Sequence, residues 1–118
     1  MTESSEKFPF VIQITREGMG SGDLELQKTL IQKYLTLIEQ SDLLPSVISF
    51  YTDGVKVAVE GSHVLDELAK LEARGVRLVL CGTCLDHYGL FDKVKVGIMG
   101  GMTDIIEAQW RAEKLITL

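Results

Sequence analysis

Residues 77–89 read RLVLCGTCLDHYG, and the reading of this stretch decides the fold. Leu78, Val79 and Leu80 form an apolar run that leads straight into Cys81. Gly82 and Thr83 come next, then Cys84, then a short segment closing at Gly89. An apolar run cut off by a glycine turn reads as a strand buried on both faces. The residues after it read as a tight turn and the first turn of a helix. Both cysteines of the protein lie here, separated by two residues. Any chemistry the chain performs is expected at this turn.

Working outward, the same grammar recurs. Phe8–Thr15, FPFVIQIT, is β-branched, aromatic and mostly apolar, so it reads as a buried central strand with Pro9 at its start. Gly18, Gly20 and Gly22 make a turn, and Asp23 is placed to cap a helix of about 18 residues ending near Ser41 and Asp42. Ile31, Tyr34, Leu35 and Ile38 form its apolar stripe, extended by Leu24 and Leu30. Ser46–Thr52, SVISFYT, is a second buried strand, and Asp53-Gly54 turns the chain. The segment 54–60, GVKVAVE, alternates like a strand but sits where a parallel layout needs a crossover, which favours helical turns. Ser62 is placed to cap a helix from His63 to Ala73, which Gly75 ends.

Beyond the cysteines, Lys93–Val96, KVKV, reads as a short strand whose lysines guard a sheet edge. Gly97–Met102 reads as a glycine-rich loop containing Met99, Gly100 and Gly101. Thr103 is placed to cap a last helix to about Ala112, and Lys114–Leu118 is a fifth strand. Trp110 reads as core or subunit contact. Strands alternating with helices imply a parallel α/β sheet with helices on both faces. The glycine turn, Asp53, the cysteine turn and the Met99 loop all come after strands. They should gather at the carboxyl end of the sheet, where such folds bind ligands.

The chain has 118 residues, a single domain's worth, read as a tail over residues 1–7 and one domain over 8–118. Its net charge of −5, without a Lys/Arg cluster, disfavours nucleic acid as a partner. No apolar run approaches the roughly 20 residues that cross a bilayer, and the acidic, polar start is unlike a signal peptide. A soluble cytoplasmic protein is expected. There a CxxC is redox-active, sulfur-handling or metal-binding more often than a permanent bridge.

Cys84 falls in the first turn of the expected helix, where negative charge is favoured. Thr83 as N-cap and Asp86 three residues later would form a capping box. Cys81 lies close enough to react with Cys84. His87 completes a C-x2-C-x2-H spacing, but a structural zinc takes four ligands and no second CxxC or HxxxH exists, so no metal and no cofactor is expected. His87 is either a proton donor or acceptor near the thiols or a surface histidine. Gly18, Gly20 and Gly22 could cradle a small anion on backbone N–H groups, yet they match neither nucleotide fingerprint.

The stretches GSGDLELQKTLIQKYL, FYTDGVKVAVEGSHVLDELAKLEARGV, LVLCGTCLDHYGL and AEKLITL together resemble the DsrE-like sulfur-relay family. They are especially similar to the C-terminal domain of YedF-like selenium-metabolism proteins, with CGTCLDHYGL the specific part. The resemblance implies a three-layer α/β/α sandwich with a parallel sheet in the order 4-3-2-1-5. It also implies a homo-oligomer, trimer or hexamer, and a cysteine after the third strand that carries sulfur as a persulfide. Cys81 and Cys84 both occupy that position, and the resemblance leaves open which one carries. YedF-like proteins often have an N-terminal SirA/TusA-like domain. Here the module is expected either to act alone or to meet such a protein as a separate donor or acceptor.

The leading functional expectation is therefore a sulfurtransferase or sulfur carrier using Cys84 and Cys81. Thr83, Gly82, His87 and Asp86 would support them, and Gly18, Gly20, Gly22, Asp53, Met99 and Gly100 would line the cleft. The alternatives are a dithiol redox switch and a non-catalytic oligomeric module that binds a small ligand or a protein.

Overall fold

Strand β1 forms over Phe10–Ile14, and all five of its residues are buried. That burial on both faces is why the sequence runs apolar without alternating. The computed structural model describes residues 9–118; the tail expected over residues 1–7 and the strand start at Phe8 lie outside the described residues. After the glycine turn comes helix α1, Leu24–Gln40, capped as expected: the Asp23 carboxylate accepts the Leu26 N–H at 3.0 Å. Such a cap is worth about 1 kcal/mol. Its buried residues are Ile31 and Leu35, whereas Leu24 and Leu30, expected on the stripe, are exposed. Leu30 is adjacent to Ile31 and so points about 100° away from it.

Strand β2, Val47–Phe50, is fully buried. The 54–60 segment forms helical turns: a 3-10 segment spans Thr52–Ala58 and buries Val55, Val57 and Ala58. Helix α2 covers Leu65–Ala73. It begins two residues after the expected start at His63, because the Ser62 hydroxyl accepts the Val64 N–H within a preceding turn rather than capping the helix. Gly75 lies just past its end with φ +96°, as expected.

Strand β3, Arg77–Cys81, leads into helix α3, Gly82–Tyr88. Strand β4 is Ile98–Gly100 and pairs with β3, Cys81 opposite Gly100. The strand expected at Lys93–Val96 is not part of the sheet. Lys93 ends a 3-10 turn, Val94 bridges antiparallel to Val59, and the Lys95 N–H reaches the Ala58 carbonyl at 3.0 Å. Of KVKV only Val94 makes a β-bridge, and that bridge is to the crossover segment. Helix α4, Met102–Arg111, starts on Gly101, whose N–H donates to Asp104 Oδ2 at 2.8 Å, so Thr103 is not its cap. Strand β5, Lys114–Thr117, pairs with β1.

The result is a five-stranded parallel sheet in the order β4-β3-β2-β1-β5, flanked by helices on both faces. Ile12, Ile14, Ile48, Phe50, Leu78 and Leu80 pack with Ile31, Leu35, Leu68, Leu71 and Leu85 of α1, α2 and α3. On the opposite face Val11, Val47 and Val79 meet Ala108 and Ala112 beside α4. Both layers therefore come from the odd and even positions of the same three strands. No helix among the described residues is long and apolar enough to cross a membrane.

Candidate functional site

The buried run Leu78–Leu80 fixes the end of β3 in the core, and Cys81 ends it, 2% exposed. Cys81 is also the N-cap of α3, with no side-chain cap bond. Thr83 is therefore inside the helix and exposed rather than its cap, and the expected Thr83–Asp86 capping box does not form. Cys84 lies in the first turn and is only partly buried. Both cysteines are free thiols.

The Cys84 sulfur accepts a hydrogen bond from the Thr52 N–H at 3.1 Å. This amide is presented by a strained residue. Thr52 has φ +49°, the only positive φ outside glycine among the described residues. Its hydroxyl lies 2.9 Å from the Thr15 carbonyl and 2.6 Å from that of Tyr51, which pins the turn to the end of β1. Gly54 allows the approach: a Cβ there would stand 1.9 Å from the Ile14 carbonyl oxygen.

The electrostatics depart from the expectation of an anionic sulfur. Burial pushes the Cys84 thiol above its ordinary value of 9.0, the neighbouring Cys81 thiol adds to that, and only the Thr52 amide works in the other direction. Cys84 therefore rests as a neutral thiol beside Cys81.

Around this pair, Asp53 Oδ1 accepts the Tyr88 hydroxyl at 2.6 Å and lies 3.2 Å from Lys56 Nζ. Lys56 Nζ also stands 4.3 Å from the centre of the Tyr88 ring. Tyr88 and then Lys56 hold the Asp53 carboxyl below its usual range. Met99 packs on the cysteine turn: a Cβ on Gly82 would meet its Cγ and Sδ at 3.2 Å. Gly100 is close-packed against Val79 and Asp104 rather than open. His87 is exposed, its ring edge-on to Tyr88 at 5.1 Å, and Asp86 is exposed.

Asp53, Met99 and Gly82 thus join the cysteines. The glycine turn is bonded to α1. Met19 N–H bonds to the Gln27 carbonyl at 3.0 Å, Gln27 Nε2 bonds to the Gly22 carbonyl at 2.8 Å, and Gly18 is buried against Gln27. No hydrogen bond among the described residues ties Gly18, Gly20 or Gly22 to either cysteine. A polar cleft of about 500 Å³ runs beside Tyr88 and Lys56 and is lined also by Glu17, Lys28, Glu60 and His63. No group of three or more His, Cys, Asp or Glu gathers to hold a metal among the described residues.

Sequence reasoning missed Thr52, Lys56 and Tyr88. Tyr88 was detectable, lying four residues after Cys84 and so on the same helix face. Thr52 carried no signal, because an amide donor is a property of backbone path.

Fold and turn define a class: a parallel α/β/α domain with a dithiol at the carboxyl end of its third strand. Within that class the chain belongs to the DsrE/DsrF-like family, whose sequence profile matches residues 20–118, a family associated with sulfur relay. The fold is similar to that of the ychN protein from E. coli, with TM-score 0.67 at 23% identity, covering 92% of this chain and 99% of that one. It is likewise similar to MTH1491 from Methanobacterium thermoautotrophicum, described as a protein of unknown function. There the TM-score is 0.69 at 20% identity, covering 92% and 97%. No curated protein matches the sequence.

Proposed function

We propose that the protein is a sulfur carrier in which Cys84 takes up sulfane sulfur as a persulfide and Cys81 is the thiol that assists release. The observation that carries this reading is the asymmetry of the pair: Cys81 is sealed, while Cys84 is reachable and its sulfur is held by the Thr52 amide at 3.1 Å. In uptake, the Cys84 thiolate attacks the terminal sulfur of a donor persulfide. The donor S–S bond breaks, the new bond to Cys84 Sγ forms, and the donor leaves as a thiol with no net oxidation. Release occurs when an acceptor thiolate takes the outer sulfur. Alternatively, Cys81 attacks Cys84 Sγ, forming a disulfide and expelling sulfide, and an external dithiol reductant then resets the pair. The donor or acceptor is a separate protein of the SirA/TusA-like kind, and a reducing cytoplasm is the compartment this reading requires.

Incubation with a sulfane-sulfur donor and subsequent intact mass tests it. Wild type is expected to gain sulfur and the Cys81→Ser/Cys84→Ser double variant to gain none. No gain on wild type, or an equal gain on the double variant, contradicts the reading; a selenium donor in the same assay reads whether the heavier element is accepted. Because Cys84 rests protonated, uptake should rise roughly tenfold per pH unit from neutrality, without levelling below the ordinary thiol value of 9.0. A plateau near neutral pH contradicts the raised pKa.

A redox switch without sulfur transfer is the second reading, favoured by the adjacency of the free thiols. It predicts a reversible disulfide and no adduct. The non-catalytic binding module is the third, and the reachable sulfur of Cys84 weighs against it.

The same reading includes self-association. Met102, Ile106 and Trp110 recur at spacing four on α4 and are all exposed, Trp110 by 86%. A contiguous apolar stripe of this kind is suited to a second copy of the chain. Light scattering should find a trimer or hexamer that Trp110→Asp reduces to smaller species. A wild-type monomer at tens of micromolar contradicts this.

A further inference from the structure

We infer that Tyr88 and Asp53 form a clamp that holds the Thr52 amide on the Cys84 sulfur, making both of them positioning residues for the sulfur chemistry. This rests on Cys84 being the working thiol.

The bonds come in a matched pair. Thr52 N–H to Cys84 Sγ is 3.1 Å, and Tyr88 hydroxyl to Asp53 Oδ1 is 2.6 Å. Both join the same two segments. On the 3-10 side the partners are consecutive residues; on the α3 side they are one helical turn apart. Two bonds at that separation fix rotation as well as distance, which one bond cannot do. The segment needs fixing, because Thr52 sits in the left-handed region at φ +49°. Such a conformation persists only where its surroundings over-determine it. Its hydroxyl is pinned to Thr15 on one side, and Asp53, the next residue, is pinned to Tyr88 on the other.

Lys56 completes the clamp. Its ammonium lies 3.2 Å from Asp53 Oδ1, 3.9 Å from Glu17 and 4.3 Å from the Tyr88 ring centre. This keeps the carboxylate ionised and therefore a strong acceptor for the phenol. Tyr88 and Asp53 are exposed, and an exposed pair adds little to folding; its consequence is local. The titratable groups that act on Cys84 are Cys81 from β3 and Tyr88 from α3, while Asp53 and Lys56 from the 3-10 segment meet Tyr88.

The test is the pH profile of native iodoacetamide labelling at Cys84, read by peptide mass in the full chain. Tyr88→Phe removes only the hydroxyl, leaves the ring under Lys56, and changes no charge. With the amide loosened, the sulfur loses its one stabilising contact. Labelling at pH 7.5 should slow by about two- to tenfold, the worth of one hydrogen bond, with the midpoint moved up and the high-pH limit unchanged. Asp53→Ala must also raise the midpoint, although deleting a carboxylate near a thiol would by itself lower it. A midpoint that is unmoved or lowered in either variant overturns the clamp. The outcome is separable from the sulfur reading. A raised midpoint in a protein that takes up no sulfur keeps the clamp and removes the carrier, and sulfur uptake with an unmoved midpoint does the reverse.

Discussion

Replacing Cys84 by serine is expected to abolish sulfur uptake, whereas replacing Cys81 by serine is expected to leave uptake intact and to prolong the life of the loaded form. The asymmetry comes from access. Cys81 ends a strand in the core and is 2% exposed, so a donor carried by another protein cannot reach it. Cys84, one turn into α3, is reachable and already accepts an amide donor. Cys81 nevertheless neighbours Cys84 closely enough to push its thiol up, so it is placed to attack a Cys84 persulfide internally. An oriented internal attack outruns one from solution, and its removal should lengthen the half-life of the adduct by at least about tenfold. Time-resolved intact mass after donor removal reads both effects. Uptake by Cys84→Ser at the wild-type level reverses the roles. An unchanged lifetime in Cys81→Ser removes Cys81 from release.

Gly54→Ala is expected to destabilise the fold by about 3 kcal/mol or more. An added Cβ would stand 1.9 Å from the Ile14 carbonyl oxygen and 2.5 Å from its carbon. Those atoms belong to the central strand β1, whose backbone is held by neighbours on both sides, so it cannot give way. The turn must move instead. It would break the Tyr51 N–H to Ile14 carbonyl bond at 3.1 Å and carry Thr52 off the Cys84 sulfur. Thermal unfolding should fall by roughly 10–20 °C for a chain of this size. Whatever protein folds should label at Cys84 with a raised pH midpoint. A variant within about 0.5 kcal/mol of wild type by urea unfolding contradicts the close approach.

The sheet was legible in the sequence because parallel strands bury both faces. FVIQI, VISF and RLVLC carry apolar runs that admit little else. The fourth strand was misplaced because its physics runs opposite to propensity. Ile98–Gly100 is short and glycine-bearing, yet it pairs with β3. Gly97, at φ +82° and packed so that a Cβ would lie 2.7 Å from Leu80, lets the chain enter the sheet there. KVKV has the better strand pattern but is held by Val59 and Ala58 of the crossover.

The candidate site was half legible. The CxxC and Asp53 stood out as residue types. The Thr52 amide, and the burial that lifts the Cys84 thiol, depend on how residue 52 meets residue 84 across the fold. The glycine turn looked like an anion cradle, but three small residues say only that a chain can bend. Here it bends onto α1.

The most direct test of the central claim locates the sulfur itself. Wild type is loaded with a sulfane-sulfur donor, its persulfide is capped by alkylation, and the peptide bearing both cysteines is fragmented. The account predicts one added sulfur on Cys84 and none on Cys81. Added sulfur on Cys81, or on neither, contradicts it.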